Sequence, residues 1–368
     1  MYYIILILLF LQILASGFGS ELRYIKYILS FLLMLLIFLP NKTRISKILI
    51  NNMLFYIFLF LTYLIFVVFG ITDYKYFSSR FFAEFFFIIS PFFFLIGIES
   101  FGFPKSKFIH HFAIINILGF VIICSKGFIE LSSLSSIFNA FISSSLPTES
   151  GMAFPLGLFT LYFYLNRQKT MFIILLVFFL LAFKRVAILA LIISFISHFI
   201  IPKLKNNESQ RFKITLTAFL ALANLAFIKI VLLFSDGYFD DLIKDYTGLS
   251  SNAFSMGRMT LFSEIFEILN RIPFFGSGIG STFVILKGES LLHSDTLKLF
   301  IELGPLFFVI WVVAFYIMNL KKNQAIPILL FTNILFLTDN VIIYFDTMIV
   351  FYLILTNFDD DYVKLSKF

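Results

Sequence analysis

What most constrains this chain is the succession of apolar runs that fills it. Runs long enough to form helices fall at about 2–15, 24–39, 48–70, 81–98, 108–124, 151–165, 170–183, 186–201, 214–234, 295–319, 325–338 and 341–356. Several fall short of the ~20 residues of a straight bilayer crossing. These are expected to tilt, to borrow from their flanks or to be half-buried in protein. Hydrophobic residues make up 60% of the 368, charged residues 13%, and the mean hydropathy is +1.00. A soluble domain of this length has no core large enough for so much apolar surface. The expected fold is therefore an all-α polytopic membrane protein with about twelve transmembrane helices, eleven being the alternative. It is expected to form one transmembrane domain over 1–368. The first run lacks a basic start and a small-residue cleavage site, so it is read as a first span and not a removable signal.

Basic residues then set the expected orientation. The connections at 41–47, 99–107, 166–169, 202–213 and 321–324 and the tail after 357 hold about fifteen Lys and Arg in about fifty residues. The alternate set holds about eleven in more than a hundred. The denser set is expected to be cytoplasmic, with both termini inside. Two long connections, 125–150 and 235–294, then lie outside. The first carries a Ser/Thr-rich stretch at 131–145, read as a flexible or short-helical lid. Because the net charge of +7 is scattered through short loops, it reads as a membrane-orientation signal and not as a nucleic-acid surface. Asp359-Asp360-Asp361 reads as a solvated tail. The lone Cys124 excludes an intrachain disulfide and sits inside an apolar run, where a thiol acts as a small core residue.

Three outward features carry possible chemistry. Lys184-Arg185 separates two apolar runs with almost no loop; the pair either snorkels to water or points Arg185 into a cavity. There a guanidinium would grip a phosphate with two hydrogen bonds. Arg258 opens a run in which Phe262, Ile265, Phe266 and Leu269 recur at helical spacing, with Ser263, Glu264 and Glu267 opposite. This predicts an amphipathic helix in the large outer loop, stopped by Arg271-Ile272-Pro273. A cation in its first turn opposes the helix dipole, which favours an anion-binding role. His293 precedes Ser294-Asp295 and a long apolar run; Ser294 or Asp295 is the expected N-cap, whose free N–H groups favour an anion. Asp295, Lys298 and Glu302 fall on one helical face, so Lys298 is expected to pair within its own helix.

Other signals carry less. His110, His111 and His198 have no partners of obvious kind, and no zinc-type spacing exists, so no metal site is expected. Gly276-Ser277-Gly278-Ile279-Gly280 follows no strand and reads as a turn that lets the backbone pass close to something. Asp236, Asp240, Asp241 and Asp245 either bind a cation weakly or solvate their loop.

Taken in order, Phe183-Lys184-Arg185-Val186-Ala187, then Gly257-Arg258, then Arg271 through Gly280, and His293-Ser294-Asp295 ending in Glu302-Leu303-Gly304-Pro305, form a pattern. It resembles the bacterial O-antigen polymerase and O-antigen ligase superfamily. In that family the first piece usually reads Ser-Arg and the histidine is followed by Asn; here Lys184 and Ser294 replace those neighbours. The resemblance covers the C-terminal half, and the N-terminal half matches only as generic spans. It implies a GT-C-like helical enzyme in the bacterial inner membrane. Such an enzyme uses undecaprenyl-pyrophosphate-linked oligosaccharides as donor and acceptor at the periplasmic face, without cofactor or nucleotide sugar, and works beside a chain-length regulator.

The chemistry expected of the residues agrees with that implication. A sugar on pyrophosphate already has a good leaving group, so the site needs cations for the developing charge. Arg185 and Arg258 would clamp the pyrophosphate, with Lys184, Arg80, Arg271 and Asp295 as further substrate-binding candidates. His293 would either take the acceptor's proton or join the clamp. The leading expectation is a polymerase; a ligase using the same donor is the close alternative. A flippase is a third, expected to show charges within several spans and two similar halves.

Overall fold

The apolar runs do become helices. The computed structural model describes residues 1–19, 24–35, 43–71, 77–130, 148–201, 209–248, 250, 252, 255, 258–269, 272–288, 292–359 and 361–365. The N-terminal half runs α1 (Tyr2–Gly17), α2 (Ile25–Leu35), β1 (Thr43–Ser46), α3 (Lys47–Val68), α4 (Ser79–Ser100), α5 (Lys105–Ile123) and a short α6 (Ser125–Glu130). An antiparallel hairpin follows, α7 (Ala153–Leu165) and α8 (Lys169–Leu181), and then α9 (Arg185–Ile200) and α10 (Gln210–Ser235). The remainder is α11 (Asp240–Thr247), α12 (Arg258–Leu269), α13 (Ser281–Ile285), α14 (Asp295–Asn319), α15 (Ala325–Thr338), α16 (Phe345–Phe358) and β2 (Tyr362–Leu365).

Five of these, α3, α4, α5, α10 and α14, are long and apolar enough to cross a membrane. Seven shorter apolar helices occupy the other predicted runs. Large apolar side chains on their outer faces stay uncovered, among them Phe58, Leu61, Phe219 and Leu222. In water such a surface would aggregate; against lipid it costs nothing. Inside, polar side chains pair between helices: Asn52 with Asn319, Asn224 with Asn333 and Thr296, and Tyr56 with Trp311. The Ser/Thr-rich stretch at 131–145, read as a lid, lies outside the described residues.

The two ends of the bundle differ in what they gather. At one end β1 pairs antiparallel with β2, Thr43 opposite Leu365 and Ser46 opposite Tyr362. Lys105 stands 2.5 Å from Glu99 and donates to Ser46 and to the Thr356 carbonyl. Tyr2 lies 2.8 Å from His111, so both chain termini reach this end. The other end gathers 148–150, the α8–α9 turn, the start of α14 and the segment between α15 and α16. The helical class holds, with the two four-residue strands β1 and β2 beside the helices. One expectation is corrected here. The acidic tail is not wholly solvated: Asp359 is 5% exposed and accepts the Asp361 N–H.

One break in a helix positions much of this second end. Pro305 in α14 has no N–H, so the Ile301 carbonyl loses its intrahelical donor. Gly304 beside it adopts φ 73°, ψ 167°. The glycine-rich turn fills the gap: Ser277 N–H donates to the Ile301 carbonyl at 3.0 Å and Gly278 N–H to the Glu302 carbonyl at 3.0 Å. Contact is backbone to backbone. A Cβ on Gly276 would stand 2.2 Å from the Glu302 oxygen, and one on Gly304 would stand 2.2 Å from the Gly276 nitrogen. The close approach predicted for this turn is therefore made with Gly304, and it carries α13 into the bundle.

Candidate active site

Three side chains distant in sequence meet at one cavity. Arg185, Arg258 and His293 all line a space of about 410 Å³ at the end of the bundle opposite β1 and β2, joined by Lys184, Glu149 and Ser255. Each is delivered by a different local device. Lys184 and Arg185 stand at the tight α8–α9 turn, where Phe183 is held at φ 35°, a left-handed conformation unusual for a bulky residue. The turn is tied to the preceding segment by Ser150 N–H to the Ala182 carbonyl and by Thr148 Oγ1 to the Leu181 carbonyl. Arg258 is the first residue of α12, whose apolar stripe buries Phe262 and Ile265 against the bundle as its spacing predicts. His293 is fixed by the cap that follows it: the Ser294 hydroxyl accepts the Leu297 N–H, settling the N-cap choice in favour of Ser294.

Sequence reasoning missed the residue that links these groups, Asp339. It follows α15, and its Oδ1 lies 3.8 Å from His293 Nδ1, an ion-pair distance too long for a hydrogen bond. Its Oδ2 lies 3.7 Å from Lys184 Nζ. Oδ1 also accepts the Asn340 N–H at 2.8 Å and the Tyr344 hydroxyl at 3.0 Å. Burial alone would push this carboxyl up. The His293 contact, the Asn340 amide, the Lys184 ammonium and the Tyr344 hydroxyl together outweigh it and hold the group below its ordinary range. Tyr344 is pushed the other way, by burial and by the Asp339 charge, so it stays a donor. A signal existed: Asp339-Asn340 is a polar pair between two apolar runs with no loop, the feature that marked Lys184-Arg185.

The remaining candidates part company with the cavity. Arg80 does not line it. Its guanidinium is 2.7 Å from the buried Glu84 and lies over the Phe283 ring at 4.4 Å. Asp295 is fully buried behind the cavity. Its Oδ2 accepts the Ile342 N–H at 2.7 Å and its own N–H donates to the Asp339 carbonyl. It can position Asp339 but cannot touch a ligand in the cavity. Lys298 pairs across helices and not within its own: Nζ donates to Glu84 at 2.7 Å. Glu84 lies one turn along α4 from Arg80 and reaches both cations. Arg271 and Gly257 fall outside the described residues.

The cavity has two characters. Its polar lining is mainly basic, with Lys184, Arg185, Arg258 and His293 beside one carboxylate among the described residues, Glu149, and with Asp339 behind. Its wall is apolar, formed by Phe227, Ile230, Val231 and Phe234 of α10 with Phe262 and Leu337. Such a shape accepts a ligand with an anionic head and a hydrocarbon tail. No family model matches the chain, and no curated protein or solved structure matches it either.

Proposed function

We propose that the chain is a membrane glycosyltransferase. It transfers an undecaprenyl-pyrophosphate-linked glycan onto a lipid-linked repeat unit, as the polymerases it resembles do. The reading places about twelve crossings, GT-C-like, in a bacterial inner membrane, with both termini cytoplasmic and the cavity periplasmic. The observation that carries it is the meeting of Arg185, Arg258 and His293 at one cavity with an apolar flank.

In this reading the two guanidinium groups grip the pyrophosphate and the α10 wall takes the first isoprene units. The acceptor hydroxyl attacks the anomeric carbon. A new C–O bond forms there as the C–O bond to pyrophosphate breaks, inverting the centre. The hydroxyl proton passes to His293, and lipid pyrophosphate leaves with its added charge on Arg185 and Arg258. Asp339 beside Nδ1 serves His293 in either role, as base or in the clamp, because a carboxylate there offsets the charge of an imidazolium.

The test is genetic and chemical. Arg185→Ala, Arg258→Ala and His293→Ala should each abolish chain extension at unchanged protein level, and Arg→Lys at either site should also be damaging because an ammonium has no fork. A normal glycan ladder from all three alanine variants would remove the assignment. Cells lacking the chain should accumulate single-repeat glycan; unattached full-length chains would instead make it a ligase.

A further inference from the structure

The same end of the bundle holds a second cavity, on the other side of Asp339 and Tyr344 from the cationic one. It measures about 370 Å³ and lies between α1, α2, α5 and the starts of α7 and α16. Its polar lining includes Ser16, Lys26, Asn116, Ser150, Tyr344 and Asp346. The two cavities share a wall. Glu149 lines one and Ser150 the other. Phe154 stands between them, with the Tyr344 ring stacked on it at 6.2 Å and Lys184 Nζ 5.8 Å from its centre. Tyr344 lines the second cavity, yet its hydroxyl donates to the same Asp339 oxygen that faces His293 in the first.

The chemistry of the second cavity is the reverse of the first. Among the described residues its charged lining is one lysine, Lys26, and one carboxylate, Asp346. Three oxygens at or beside its wall have no hydrogen-bond partner among the described residues: Asn116 Oδ1, Asp346 Oδ1 and Gln12 Oε1. Gln12 is part of the same cluster, because its amide nitrogen reaches both Ser16 and Asp346. Asn116 is fully buried in the middle of α5, and its Nδ2 donates to the Phe112 carbonyl at 2.9 Å. Buried acceptors of this kind call for a ligand that donates hydrogen bonds. A pyrophosphate at neutral pH only accepts; a sugar carries several hydroxyl donors.

We propose that this second cavity binds a neutral, hydroxyl-rich sugar of the acceptor glycan distant from the attacking hydroxyl, while the cationic cavity holds the pyrophosphate of the donor and receives that hydroxyl at His293. This rests on the glycosyl-transfer reading above. It adds a division of labour: the donor is recognised by charge, the acceptor by unpaired oxygens on α1, α5 and α16, and Asp339 with Tyr344 forms the boundary where they meet.

Asn116→Leu separates the possibilities, because it removes the unpaired oxygen at nearly constant volume and should leave the fold at least as stable. The full chain in nanodiscs would be given lipid-linked single repeat units extracted from cells that lack it. Inorganic pyrophosphate would serve as a separate probe of the cationic cavity by thermal shift. The variant should keep the pyrophosphate shift and lose extension by about tenfold or more through weaker half-saturation, the size of one lost buried hydrogen bond. Extension by Asn116→Leu with wild-type half-saturation would overturn the acceptor site and leave the transferase standing. A wild-type chain that shifts with pyrophosphate but extends nothing would overturn the transferase reading and the acceptor site with it.

Discussion

At the scale of the residue, Asp339 does the most with one side chain. It joins Lys184 from the α8–α9 turn, His293 from the head of α14 and Tyr344 from the head of α16. Asp339→Asn keeps an acceptor for the Asn340 and Tyr344 donors and removes only the charge. It should lower the rate of extension by about 10²–10⁴, the range of a compromised general base, with little change in half-saturation. The substitution should also change how stability depends on pH. Because the folded carboxyl is held below its ordinary value, its contribution is complete above the unfolded value of about 3.9 and is lost as pH falls through the folded one. The gap in melting temperature between wild type and Asp339→Asn should therefore be open at pH 7 and close below about pH 4. A gap unchanged across that window would show that the carboxylate is not the charged partner described.

At the scale of the element, the broken α14 and the glycine-rich turn form one unit. Gly304→Ala would set a Cβ against the Gly276 nitrogen at 2.2 Å and the Phe274 oxygen at 2.4 Å, on a backbone at φ 73°. None of these atoms can swing away, so the change should cost on the order of 3 kcal/mol. Gly151→Ala, where nothing lies within 4 Å, should melt like wild type. Beneath this unit lies the ladder of Arg80, Glu84 and Lys298. Glu84 is the only one of the three that touches both others, so Glu84→Leu strands two cations and should cost about 3–5 kcal/mol. Lys298→Met leaves Glu84 still paired with Arg80 and should cost less, and the double variant should recover part of the loss. A double-mutant cycle on melting temperature reads this, and equal losses from the two single variants would mean that the ladder is not shared as drawn.

At the scale of the whole molecule, the bundle sorts its connections between two ends. Starting from Cys124→Ala, a cysteine at Tyr238 should react with an impermeant maleimide in intact cells, and one at Arg211 should react only after the membrane is opened. The reverse pattern would invert the orientation and place the cationic cavity in the cytoplasm, where the proposed donor is not polymerised. The helices were legible in advance because the length of an apolar run is a local quantity. The α12 stripe was legible for the same reason, since residues three and four apart share a helix face whatever surrounds them. Lys298 was misread by that same rule: its helical neighbours are acidic, but the carboxylate that reaches it belongs to α4.

Sequence alone therefore determined the helices, their order and four of the side chains that line the cationic cavity, because each of these follows from hydrophobicity and spacing within one segment. Only the tertiary structure decided which charges share a space. Arg80 was drawn off by Glu84, Asp295 was buried behind Asp339, and Asp339 itself was brought to His293 across the start of α14. Those choices depend on how helices far apart in the chain settle against one another, and a buried charge goes to whichever partner the packing brings within a few ångströms.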